Sequence, residues 1–148
     1  MAASACLVTT IMSYQVKTIF IGPFGNGNVP KDGASIKNYH ILNRLRAFIP
    51  ELIAIDTDNW KRRPMMLLKL LLTIIFNHKA RYILSLNNDS AHKVIKIIHT
   101  LAPHAQVIYW VIGGSLGKWM AEGRLEAKDF AHLRHIIVEG ETMKSQLK

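Results

Sequence analysis

Closely spaced glycines after an apolar run are the first residues in this chain whose type and spacing suit ligand chemistry. Val16-Lys17-Thr18-Ile19-Phe20-Ile21 leads into Gly22-Pro23-Phe24-Gly25-Asn26-Gly27-Asn28-Val29-Pro30-Lys31-Asp32-Gly33, and a helical pattern follows. Glycines let the backbone approach a bound group and take positive φ, and the free N–H groups of the next helix favour phosphate or another anion. Gly25 and Gly27 lack a third glycine three residues on, so the spacing is not the dinucleotide fingerprint. The stretch reads as a ligand loop, with Gly25, Gly27 and Gly33 as binding candidates and the ligand open. Lys37 and Asn38, in the first turn of the helix, are expected to face it. Lys37 there is either a point charge for phosphate or a solvated surface lysine.

The other candidates fall at the ends of later apolar runs. Asp56 closes Glu51-Leu52-Ile53-Ala54-Ile55-Asp56 and either contacts a hydroxyl or begins a turn with Thr57 and Asp58. Asn87 and Asp89 follow Arg81 to Leu86 and either bind sugar hydroxyls or cap a helix. Gly113-Gly114 before Ser115 either seats a phosphate on exposed N–H groups or makes a tight turn. Glu139 closes His135 to Val138. Ser115 lacks the Gly-x-Ser-x-Gly context of a nucleophile elbow, so hydrolase chemistry has little support. Tyr109 and Trp110 sit in a strand pattern that suits the core better than a base-stacking platform, so nucleic acid is not the expected partner.

Stepwise alternation of strand and helix positions these groups. Strands are expected at 16–21, 51–56, 81–86, 106–112 and 135–138, separated by helical patterns, with Ser35 near the N-cap of the first helix. The order βαβαβαβαβα with short links implies an α/β fold: a Rossmann-like parallel sheet with helices on both faces, three layers deep, joined by right-handed crossovers. In such sheets ligands gather at the carboxyl ends of the strands, where all these candidates lie. Met65 to Phe76 is apolar nearly all round, with Lys69 its sole charge, and is too short to cross a membrane. It is either a packed core helix or one that lies on a lipid surface beside Lys61-Arg62-Arg63.

With 148 residues, 49% of them hydrophobic, the chain has room for one domain with a real core and is not disordered. The formal net charge of +9 suits nucleic acid, an anionic membrane surface or phosphorylated substrates, without choosing among them. One cysteine, Cys6, excludes an intramolecular disulfide and fits a reducing cytoplasm. The histidines are scattered and suggest no structural metal site. Residues 1–15 lack the basic start of a signal peptide and read as a poorly ordered leader to a single domain over 16–148.

Taken in order, these segments resemble the N-terminal domain of a GT-B glycosyltransferase, of the group 1, family-4-like enzymes that build bacterial capsular and exopolysaccharides. The carriers are Ile19-Phe20-Ile21-Gly22 with its loop, Gly33-Ala34-Ser35-Ile36-Lys37-Asn38, and Ile53-Ala54-Ile55-Asp56-Thr57 followed by Trp60. Further on come Tyr82-Ile83-Leu84-Ser85, Tyr109-Trp110-Val111-Ile112-Gly113-Gly114, and Ile137-Val138-Glu139-Gly140 with Met143 and Leu147.

The resemblance implies half of a two-domain enzyme that moves a sugar from a nucleotide-sugar, a substrate rather than a cofactor, to a saccharide or lipid-linked acceptor. It implies no bound metal, and work in the cytoplasm with peripheral contact at the inner, anionic face of the plasma membrane. Gly33, Lys37 and Asn38 would line the cleft, Gly113 and Gly114 would lie near the transfer centre, and Glu139 toward the interdomain edge. Many relatives carry a histidine after the fourth strand, where Gly113-Gly114 stand here, so no catalytic base is assigned. The paired-glutamate motif of the family's second domain is not in this sequence, so the expectation is a domain that is inactive without a donor-binding domain or subunit. A non-catalytic binding module of the same fold is the alternative.

Overall fold

Five short apolar runs pair as parallel strands, since a sheet covered on both faces buries such runs; the last of them, at the sheet edge, stays exposed. In the computed structural model, which describes residues 16–25, 27–113, 115–139 and 144–145, the strands are β1 (Thr18–Gly22), β2 (Ile53–Asp56), β3 (Arg81–Leu84), β4 (Gln106–Trp110) and β5 (His135–Ile137). They form one sheet in the order β2-β1-β3-β4-β5, every pair parallel. This is one of the two common doubly wound orders. Its direction of winding reverses between β1 and β3, and ligands of such folds bind outside the carboxyl ends there.

Between the strands lie α1 (Gly33–Phe48), α2 (Pro64–Phe76), α3 (Asn88–Leu101) and α4 (Leu116–Ala121), with 3₁₀ turns at Trp60–Arg62 and Ala127–Phe130. Alternation along β1 shows the layering. Ile19 and Ile21 join Leu70 and Ile74 of α2, Val94 and Ile98 of α3 and Leu116 of α4 in the larger core. Phe20 points the other way, to Leu42 of α1 and Ile83 of β3, in a smaller one. Helices therefore cover both faces, and the expected three-layer α/β/α arrangement is the one observed.

Local details depart from the sequence reading in two places. The cap of α1 is Asp32 rather than Ser35: its carboxylate accepts from the Ser35 N–H at 2.9 Å and from the Ser35 hydroxyl at 2.7 Å, so the helix starts at Gly33. In α2, Leu70 and Ile74 enter the core, but Met65, Leu68, Leu72 and Phe76 form an exposed stripe with Leu67, Leu71 and Ile75 beside it. Core burial thus accounts for one side of this helix only. Among the described residues no helix is long and apolar enough to cross a membrane. The expected leader at 1–15 and most of the expected last helix lie outside the described residues.

Candidate functional site

The reversal point between β1 and β3 is closed by two side chains, Asn38 and Ser85, and one missing side chain, at Gly22. Asn38, on the inward face of α1, is fully buried. Its Nδ2 donates to the carbonyls of Pro23 and Ser85, each at 3.0 Å, and its Oδ1 accepts from the Ser85 hydroxyl at 2.6 Å. One amide thereby joins the loop after β1, the helix after it and the end of β3. Gly22 makes the approach possible, since a Cβ there would stand 2.7 Å from the Ser85 carbonyl oxygen and 2.9 Å from Asn38 Nδ2.

Above this floor the glycine-rich loop is held by Asp56. Its Oδ1 accepts from the Phe24 N–H at 3.1 Å and from the Asp58 N–H at 2.9 Å, so the carboxylate at the end of β2 secures both neighbouring loops and begins its own turn. Gly25 is the loop residue whose backbone demands glycine: φ is +107°, and a Cβ would collide with the Asn28 carbonyl oxygen. Gly27 stands at the exposed tip with φ of +80° and open space around it, and Gly33 opens α1 with its Cβ position equally open.

Two hollows flank this loop. One, of about 450 Å³, lies between the glycine loop and a flank of α1 and is lined by Phe24, Val29, Pro30, Tyr39, Leu42 and Arg46, an aromatic and apolar surface with a guanidinium. The other, of about 280 Å³, lies between the loops after β1 and β2 and is polar, with Lys31, Asp32, Ser35, Asp58 and Asn59 in its wall.

The remaining candidates divide. Lys37 does not stand as an isolated charge: its ammonium forms an ion pair with the carboxylate of Glu139, joining the start of α1 to the second residue after β5. Two expected site residues therefore meet each other, and the lysine's charge is balanced within the chain. Asn87 caps α3, accepting from the Ser90 N–H at 2.9 Å, while Asp89 pairs with Lys93 one turn on at 2.8 Å. The Lys93 bond holds the Asp89 carboxyl below the usual range. Gly113 is exposed with φ of +79°. Gly114 lies outside the described residues.

Sequence reasoning missed Ser85 and Asn88. Ser85 was hidden inside an apolar run, and its signal was only that a hydroxyl interrupted it. Asn88 accepts from the buried Tyr109 hydroxyl at 2.9 Å and donates to Ser115 Oγ at 3.0 Å, linking the ends of β3 and β4 to the start of α4. Burial raises the ionisation of Tyr109 far above the ordinary phenol value, so this hydroxyl works as a fixed donor. Among the described residues no three His, Cys, Asp or Glu side chains cluster to hold a metal ion. The chain matches no protein-family profile, no curated protein and no solved structure.

The Asp32 cap gives a pH-dependent prediction. The Ser35 N–H and hydroxyl hold its carboxyl below the ordinary value of 3.8. A depressed folded-state value means that the cap's contribution is complete above the unfolded value and is lost as pH falls through the folded one. Asp32→Ala is expected to cost about 1 kcal/mol at pH 7, as N-caps do, with the difference from wild type closing below pH 3.8. Urea midpoints from about pH 2.5 to about pH 7, a span that brackets the ordinary carboxyl range, check it; an equal gap at both ends would mean that the carboxylate is not the cap.

Proposed function

We propose that this chain is the acceptor-side domain of a nucleotide-sugar-dependent glycosyltransferase of polysaccharide biosynthesis. The observation that carries the reading is the glycine loop at the carboxyl edge, held by Asp56 over a sealed β1/β3 floor and flanked by two hollows of ligand size. The larger hollow suits a sugar ring, whose C–H face packs on Phe24 and Tyr39 while Arg46 meets a hydroxyl or an anionic substituent. In the polar hollow beside the first turn of α1, Lys31 faces the carboxylates of Asp32 and Asp58, so a donor diphosphate there would rest on that lysine and on positive charge brought by the second domain or subunit. The ordered resemblance of segments from Lys17 onward supports the same assignment. The donor would be completed by a second domain or subunit, and the work would be done at the cytoplasmic face of the plasma membrane, where lipid-linked acceptors are presented.

The test is a titration of the isotope-labelled chain with short oligosaccharides and, separately, with a nucleoside diphosphate, read as amide chemical-shift changes. Saccharide is expected to move Gly27, Val29 and Tyr39, and diphosphate to move Lys31 and Ser35, while the chain alone turns over no nucleotide-sugar. Shifts absent from both hollows, or turnover by the chain alone, would sink the proposal. A non-catalytic binding module is the second reading. It is favoured by one observation, that Asn38, Asp56 and the Lys37–Glu139 pair spend hydrogen bonds and charge inside the chain. Saccharide binding without any diphosphate response would select it.

A further inference from the structure

The exposed side of α2 is the largest feature that the sugar-transfer reading leaves unused. At 100° per residue, Leu67, Leu71, Ile75, Leu68, Leu72, Met65 and Phe76 fall in that angular order and sweep an arc of about 180°. Met65 is 73% exposed and Phe76 77%. Lys69 is the only charged residue of α2 and sits at the margin of the arc. A shallow trough of about 450 Å³ runs along it between Met65 and Phe76. Monomeric proteins seldom leave so continuous an apolar surface in water, and those that do use it to bind.

Charge identifies what covers it. From Asn59 to Asn88 the chain contains no aspartate or glutamate, while Lys61, Arg62 and Arg63 precede α2 and Lys79 and Arg81 follow it. Lys61, Arg62, Arg63 and Lys79 are exposed. The nearest following carboxylate, Asp89, is held by Lys93. A protein partner's apolar face needs no such one-signed surround, and a second copy would bring the same cations against these. An anionic lipid surface satisfies both parts, since the apolar arc enters the acyl boundary while the cations stay among the headgroups.

We infer that α2 lies flat on an anionic membrane through this arc, with the basic run before it at headgroup level. Because α2 follows β2 and runs back across the sheet, its basic start is at the carboxyl edge. The strands then lie along the membrane plane, with α1 and the Phe24 side of the glycine loop on the layer that faces away from the lipid.

Flotation of the full chain with vesicles of phosphatidylcholine containing phosphatidylglycerol, against phosphatidylcholine alone, tests the contact without sugar or nucleotide, so its failure would leave the transfer reading standing. Binding is expected to the anionic vesicles and to fall steeply with salt. Lys61→Gln/Arg62→Gln/Lys69→Gln should weaken partitioning about 100-fold. Leu68→Glu/Leu72→Glu should abolish it while leaving the circular dichroism spectrum and urea midpoint unchanged, since neither side chain enters the core. Absence of flotation with anionic vesicles, or flotation that survives both variants, would overturn the inference. So would a dimer, seen by light scattering, that Leu68→Glu/Leu72→Glu converts to monomer, because the arc would then belong to a second copy.

Discussion

Asn38→Ala is expected to lower the free energy of unfolding by about 3 kcal/mol, a large share of the roughly 5–15 kcal/mol that holds a domain together. The side chain is fully buried, and its removal takes away both donors that serve the Pro23 and Ser85 carbonyls and the acceptor of the Ser85 hydroxyl. Each buried group left without a partner costs more than the bond contributed when formed. Asn38→Asp should be worse, and in a pH-dependent way. A carboxylate would face the Pro23 and Ser85 carbonyl oxygens, so the folded state favours the neutral acid and raises its pKa above the unfolded value of about 4. The aspartate variant is therefore most stable below about pH 4 and loses stability as pH rises toward the elevated folded-state value. Urea denaturation of both variants at pH 4 and pH 7 checks this. A midpoint for Asn38→Ala equal to wild type would show that the floor is not held by this amide.

Gly22→Ala is the second large effect, at about 2–3 kcal/mol. The added methyl group would stand 2.7 Å from a backbone carbonyl oxygen and 2.9 Å from the amide of Asn38, neither of which is the free end of a flexible chain. Ser85 is further fixed by its own N–H, which donates to the Ile21 carbonyl at 2.8 Å. The two substitutions act on one contact, so their costs should not add. Removing the Asn38 amide relieves one of the two collisions, and the double variant should be less destabilised than the sum by about 1 kcal/mol. Strict additivity in the denaturation series would mean that the alanine is accommodated by a backbone shift instead.

The strands were legible because a parallel sheet demands runs that are apolar on both faces, and Ile19-Phe20-Ile21 and Val107-Ile108-Tyr109 are such runs, short, β-branched or aromatic, and bounded by glycine or proline. Each of the five was placed within about two residues, the usual uncertainty of strand ends. What escaped was anything decided by a partner far along the chain. Lys37 and Asn38 are adjacent, and the sequence sends both toward the loop. A helix turns 100° per residue, however, so one reaches outward to Glu139 and the other inward to Ser85. The exposure of α2 was hidden for a different reason. Hydrophobicity says that a helix seeks an apolar surface but not whose, and Leu72 carries no mark that distinguishes it from the buried Leu70.

The strand order has a consequence in time. β1 is made first and occupies an interior position, yet its β3 neighbour follows about 60 residues later, since Ile19 aligns with Tyr82. At translation speeds of roughly 5–20 residues per second, the Ile19-Phe20-Ile21 edge waits several seconds on the ribosome with β2 as its only available mate. During that interval Ser85 has not been made, and Asn38 can have only its Pro23 contact. The nascent chain must carry an open apolar edge until the arrival of β3 seals the ligand-side floor, which makes that junction the step most exposed to chaperones and to misassociation.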